Sequence, residues 1–277
     1  MYGFGYRYSP KGIYVPSGGG GALDPDAEAF LTAATITDPT EISAVNQLVI
    51  DMKDAGIWTK MKAVYPFVGG TSTTQKWNLV SPFDSDAAFR LTFFGGWTHS
   101  STGALPNGTN SYADTYLNAL NDLSSTSFAM GVYLNSVLTA NRYHLGLNNG
   151  ISNGYISIRN SNTTTKQAYV QFSVLPLSKS GLTSTTNQGL WALSKRSNSD
   201  RVLFCSDGSF VSNTSTNAAT NPSLNVYLGA QNANGTAANI DTMSHAFDFI
   251  SDGLNDTELT DLRTAVINFQ TTLGRAV

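Results

Sequence analysis

Most of the residues on which site chemistry is usually built are scarce in this chain. It has one cysteine, three histidines and three glutamates in 277 residues. A lone Cys205 excludes an intrachain disulfide, and its place in the run Val202-Leu203-Phe204-Cys205 reads as a small buried hydrophobe. Charged residues make up 13% of the chain and the net charge is −3, against roughly 25% charged in ordinary soluble domains. With no run of Lys or Arg there is no counterion-releasing patch, which excludes nucleic acid as a partner. No run of about 18 apolar residues occurs, so no membrane partner is expected. The N-terminus lacks the basic and apolar regions of an export signal.

The histidines add no metal site. His99, His144 and His245 stand far apart and show no His-x-x-x-His spacing. No nucleophile-elbow sequence supports a Ser-His-Asp triad. Gly18 to Gly21 precede no Gly-Lys-Ser/Thr, so no phosphate loop is present.

Apolar residues, by contrast, reach 41%, enough to fill a real core, and Ser, Thr, Asn and Gly are plentiful. Tyr2, Phe4, Tyr6 and Tyr8 alternate with other residues, a period of two that puts four rings on one face of an extended segment. Such a segment needs a partner surface, so these four are the candidate anchoring residues of an arm spanning 1–23. Asp24-Pro25 and Asp38-Pro39 open two helices with a cap and a first-turn proline, and Glu41 occupies the third position of a capping box. Ile42, Val45, Leu48, Val49 and Met52 recur at helical spacing, so 24–57 is expected to be helical and to lie on something apolar.

From Trp58 the pattern is one of short strands. Runs at 63–68, 89–94, 128–134, 143–147, 155–158, 168–174, 190–193, 201–205, 210–211, 226–228 and 246–250 are punctuated by Asn149-Gly150, Asn153-Gly154, Asp207-Gly208 and Asn234-Gly235. About ten strands at this spacing without helices between them predict a mainly β antiparallel sandwich of jelly-roll type over 58–277. A last helix is capped by Asn255, Asp256 and Glu258 and carries Leu259, Leu262, Val266, Phe269 and Leu273 toward the sandwich.

YPFVGGTSTTQKWNLVSP, FRLTFFGGWTHSSTGALPNGTNSYADTYLN and the closing FDFISDGLNDTELTDLRTAVINFQTTLGRAV resemble tailed-bacteriophage virion proteins with a concanavalin A-like (LamG-type) jelly-roll domain. LWALSKRSNSDRVLFCSDGSFVSN followed by VYLGAQNANG is similar to the strand, hairpin and strand succession of that superfamily, which includes lectins, glycosidases and passive structural modules. The resemblance covers about Asp24 to Val277. It implies a non-enzymatic structural component of a bacteriophage particle, such as a head fibre, decoration or tail-associated protein. Such a protein would be made in the host cytoplasm and reside in the virion. Its expected partners are other virion proteins, copies of itself as a homo-oligomer, with a trimer the first guess, and a host-surface glycan. The alternative is a carbohydrate-binding receptor or adhesin module, and third comes a glycan depolymerase.

A glycosidase needs two carboxyl groups across the scissile bond. Glu28, Glu41 and Glu258 all fall in helical segments, and Asp84, Asp86, Asp114, Asp200, Asp207 and Asp241 stand among turn residues, so no catalytic residue is assigned. No cofactor is expected. Calcium is the one ion weighed, at Asp84-Ser85-Asp86 or with Asn107, Asn110 and Asp114, although neither set has the spacing of a recognised calcium loop. For a glycan, Trp97, His99, Asn107, Asn110, Tyr112 and Asp114 offer rings and hydrogen-bonding groups. Core packing competes for Trp97, because large aromatics are mostly buried.

Overall fold

A computed structural model describes residues 7–8, 14–15, 22–137, 141–151, 154–171 and 176–277. Tyr2, Phe4 and Tyr6 of the expected arm lie outside these, as do Asn153 of one expected turn and the end of the strand read at 168–174. Arg7–Tyr8 pairs antiparallel with Tyr14–Val15.

Two sheets form a sandwich. The first runs, in spatial order, Phe210–Asn213, Asp200–Phe204, Gly189–Ser197, Phe128–Leu134, His245–Ser251, Gly103–Leu105, Thr98–Ser100, with Met61–Tyr65 also paired to His245–Ser251. The second runs Leu177–Ser180, Thr165–Val170, Tyr155–Asn162, Tyr143–Asn148, Asn225–Leu228, Tyr112–Asn118, Thr92–Phe94. Its strand Gln231–Ala233 lies parallel to Tyr143–Asn148 and forms a hairpin with Thr236–Ala238. All other pairings are antiparallel, so the fold class read from the sequence is the one found.

Alternation along each strand decides what fills the space between the sheets. Leu145, Leu147, Ile156, Ile158, Val226 and Leu228 of the second sheet meet Met130, Val132, Trp191, Leu193 and Leu203 of the first. The other side of the first sheet is buried under helices: Ala129, Tyr133, Ala192, Phe204 and Phe249 pack with Phe30, Val45, Met52, Leu262 and Phe269. Burying one such side chain contributes about 1.5–3 kcal/mol, so this layer is integral to the fold.

The helices are Pro25–Ala33, Pro39–Asp54 and Asp256–Thr272, with the one-turn segments Ser72–Gln75 and Ala119–Asp122. Asp24 caps the first and Asp38 the second, and Asn255 with Glu258 closes a full capping box on the last. Glu41 does not complete the expected box. Its Oε1 instead accepts from the Gly69 amide at 2.9 Å, tying the second helix to a loop of the sandwich. The strand expected from Phe89 begins only at Thr92, because Phe89 takes the left-handed conformation (φ 57) at the end of a 3-10 turn. Tyr112 and Tyr116 lie on the strand Tyr112–Asn118.

Candidate functional site

Helices cover one side of the first sheet, but among the described residues none packs on the outward side of the second. That outward side carries the residues that alternate with the aliphatic core. They are Tyr112, Asp114 and Tyr116 on one strand, Asn225 and Tyr227 on the next, then Tyr155, Ser157 and Arg159, Gln167 and Tyr169. Tyr143, in step with the inward Leu145 and Leu147, comes opposite Arg159 through an irregularity in register. Phe94 stacks on Tyr112 with centroids 4.7 Å apart and planes 12° apart, and Tyr112 stacks on Tyr227 at 4.7 Å. Three rings thus form one continuous stack across three strands, with Phe94 exposed, Tyr112 half-exposed and Tyr227 buried. Farther across, Tyr155 lies 5.5 Å from Tyr169.

Register places Thr92, Asp114, Tyr227, Gly146, Ser157 and Tyr169 in one row. At about 4.8 Å per strand this row is roughly 24 Å long. Its middle is low, because two small residues stand between two tyrosines. Gly146 (φ +137) keeps it so: a Cβ there would come within 2.2 Å of the Ile156 carbonyl oxygen. Ser157 is fully buried at this point, and its Oγ has no hydrogen-bond partner among the described residues.

Polar groups stand at either side of the dip. Asp114 accepts from the Tyr116 amide at 2.8 Å and from Asn225 Nδ2 at 3.1 Å. Burial raises its carboxyl above the usual range against those hydrogen bonds. Burial, with Asp114 nearby, pushes the Tyr227 hydroxyl up to about 12, so it remains a neutral donor. Arg159 lies between two rings, 5.2 Å from the centroid of Tyr143 and 5.2 Å from that of Tyr169. Its Nε and Nη2 donate to Gln167 Oε1 and its Nη1 to the Tyr143 hydroxyl.

Of the six residues read as glycan contacts, the fold brings only Tyr112 and Asp114 onto this face. Trp97 is half-buried against the core, with Nε1 donating to the Tyr112 carbonyl at 3.2 Å. Its ring presses on Gly229, where a Cβ would come within 2.6 Å of it. His99 turns to Phe93, at 4.6 Å, and to Gln75 Oε1, at 2.7 Å. Asn107 spends its side-chain oxygen on the amides of Thr109, Asn110 and Ser111 and its Nδ2 on Asn110, so both asparagines hold their own loop together. The aspartates weighed for calcium have other partners: Asp84 pairs with Lys76 and Arg90, and Asp86 with Arg90. Among the described residues no group of three His, Cys, Asp or Glu could hold a metal ion.

Residues missed by the sequence reading are Phe94, Tyr116, Tyr143, Tyr155, Arg159, Gln167, Tyr169, Asn225 and Tyr227. The signal was there in Tyr155-x-Ser157-x-Arg159 and Gln167-x-Tyr169, a polar or aromatic residue at every second position. Those strands were read only as apolar runs.

The histidines require a larger correction. Far apart in sequence, His144 and His245 meet on one carboxylate: His144 Nδ1 is 2.6 Å and His245 Nε2 3.1 Å from Asp241 Oδ2. His245 Nδ1 faces Asp248 Oδ2 at 2.7 Å, and His144 Nε2 faces Asn160 Oδ1 at 2.6 Å. Lys166 Nζ stands 3.4 Å from His144 and 4.7 Å from the centroid of the Trp191 ring. Burial alone would strip the proton from His245, but Asp248 and Asp241 outweigh it and raise the imidazole to about 10. Burial, aided by Lys166, pushes His144 down against the pull of Asp241. Burial would raise Asp241 too, yet the two imidazoles hold it below the usual carboxylate range. Every member is fully buried, so this is an internal ionic seam that no substrate reaches.

Two hollows of about 410 and 400 Å³ lie away from the tyrosine face. Their ions are already engaged: Arg275 donates to four backbone carbonyls, and Lys179 pairs with Asp207.

No protein-family model matches the chain, and no curated protein does. Solved structures do. Trypanosoma rangeli sialidase in complex with 2,3-difluorosialic acid matches 80% of this chain and 38% of its own at a TM-score of 0.51 and 10% identity. The same enzyme in complex with sialic acid matches 73% and 32% at 0.50 and 12%. At such identities the likeness is one of fold. Domain 4 of AbnA, a GH43 extracellular arabinanase from Geobacillus stearothermophilus, in complex with arabinotriose, matches 73% of this chain and 98% of its own at 0.47 and 17% identity. The chain spans 27% of the matched Streptococcus pneumoniae NanB sialidase chain, at 0.46 and 17% identity.

Proposed function

We propose that this chain is a carbohydrate-binding module and that the outward side of its second sheet is the binding face. The observation that carries the reading is the stack of Phe94, Tyr112 and Tyr227 on a side that no described helix covers. A sugar ring can lay its apolar side along the exposed Phe94 and the outer edge of this stack and turn its hydroxyls to Asp114, Asn225 and the tyrosine hydroxyls. The fold shared with a sialidase solved with sialic acid is in keeping with this, although fold alone assigns no function. Turnover is not part of the proposal. Asp114 is the one carboxylate at the outward positions of these strands, whereas glycoside hydrolysis ordinarily uses two.

The test is a glycan array followed by titration of the best ligand. Tyr112→Ala, at a half-exposed position, is expected to weaken binding by about 30-fold or more, the effect of losing a central aromatic anchor. Its melting temperature should stay near that of the wild type. An array without hits overturns the reading.

The sequence resemblance to virion proteins concerns how such a module is mounted. The proposal there is display on a bacteriophage particle through the N-terminal arm. A shortened chain beginning at Asp24 should remain folded by circular dichroism and lose association with particles that lack the protein. Unchanged association sinks the anchoring role.

A further inference from the structure

Arg159 is a cation without a counter-ion. Its three hydrogen bonds go to neutral oxygens, those of Gln167 and Tyr143. No carboxylate lies within ion-pair distance of it among the described residues, and the remaining residues of the chain contain no Asp or Glu. Lys76, Arg90, Lys179 and Arg196 each pair with an aspartate. Lys195 and Arg275, which have no carboxylate partner among the described residues, spend their donors on inward carbonyl and amide oxygens, whereas Arg159 stands on the outward side of the sheet. An unmatched guanidinium on a half-buried strand position calls for an explanation, since desolvating a charge is costly unless something compensates it.

The side chain is also fixed in direction. Two tyrosine rings flank it, and Gln167 holds Nε and Nη2 together on one oxygen. A guanidinium has five N–H groups. Three are used here, which leaves one on each Nη, the fork that meets the two oxygens of a carboxylate. Two residues away on the same side of the strand is Ser157, fully buried, with its hydroxyl unpartnered among the described residues.

We propose that the face selects acidic sugars, with Arg159 receiving a sugar carboxylate. This rests on the carbohydrate-binding reading above and narrows it to one ligand class. The stack of Phe94, Tyr112 and Tyr227 then holds uncharged rings of the same chain, at the other end of the row.

Isothermal titration of the full chain with oligogalacturonate, its methyl ester, sialyllactose and lactose tests the idea. The acids are expected to bind about tenfold to a hundredfold tighter than their uncharged counterparts, the usual worth of a charge-assisted hydrogen-bond pair. Arg159→Gln should erase that preference while leaving the affinity for the ester and for lactose in place, and Arg159→Lys should keep part of it. Acid affinity should fall as salt is raised and ester affinity should not; this comparison uses wild-type protein and decides the matter even where a variant folds poorly. Equal affinity for acid and ester overturns the selection of acidic sugars and leaves the carbohydrate-binding module standing. Preference retained by Arg159→Gln overturns the role of Arg159. Binding of none of these sugars, together with an array without hits, removes both readings.

Discussion

Asp241→Asn is expected to lower the unfolding free energy by about 3–5 kcal/mol, because it takes one partner out of a buried ionic set and leaves the others uncompensated. For a chain of this size the melting temperature should drop by on the order of 10 °C. Its pH dependence identifies the cause. Asp241 titrates lower in the folded protein than its usual 3.8, so its contribution is present above that value and is lost as pH falls through the folded pKa. His245 is raised from 6.5 to about 10, so its contribution is complete below 6.5 and lost as pH rises to about 10. Both hold between roughly pH 4 and 6.5. Urea melts should therefore show the largest gap between wild type and variant in that window, narrowing toward pH 3 and toward pH 10. A gap that ignores pH would mean that packing, not charge, is what the substitution disturbs.

Lys195→Met should cost about 3 kcal/mol, although methionine is nearly isosteric and relieves the burial of an ammonium group. Lys195 Nζ donates to the Ser125 carbonyl at 2.6 Å, to Gln171 Oε1 at 2.5 Å and to the Asn217 carbonyl at 3.1 Å. Substitution takes the donor from Gln171 Oε1 and the Asn217 carbonyl, while the Ser125 carbonyl keeps Gln171 Nε2 at 3.2 Å. Each buried acceptor so abandoned costs about 1–3 kcal/mol. Burial lowers the Lys195 ammonium from 10.5 to about 8, so the unfolded chain binds more protons across that interval and the wild type gains stability as pH rises through it. The variant lacks this gain. Its deficit should be larger at pH 10 than at pH 7, measured by chemical denaturation.

The helices and hairpins were legible because their signals are local. Asp38-Pro39 and the stripe from Ile42 to Met52 specify a helix within one segment, and Asp207-Gly208 specifies a turn between the runs on either side. The face was not legible, because it exists only through register. Tyr112 and Tyr227 are 115 positions apart in the chain and become neighbours through a pairing that sets Tyr227 opposite Asp114. Trp97, with its two preceding glycines, was the more conspicuous candidate in sequence, yet those features serve a tight corner at the sandwich end. The ionic seam was hidden for a similar reason. Asp241 has the look of a turn aspartate, and one of its oxygens does accept from the Thr242 and Met243 amides. Only the three-dimensional meeting of His144 and His245 on the other oxygen shows what else it does.

The helical layer has one more effect, on valency. It occupies one side of the sandwich and leaves the tyrosine side as the single proposed binding face of each chain. Asp24, where the chain enters the fold, belongs to that layer through its cap and its 2.6 Å contact with Lys53. Asp24 and the proposed binding face therefore lie on opposite sides of the sandwich, so a support gripping the helical side would hold the tyrosines outward. Copies set side by side on one support would then act as a multivalent array, in which contacts weak one by one combine into strong and reversible adhesion.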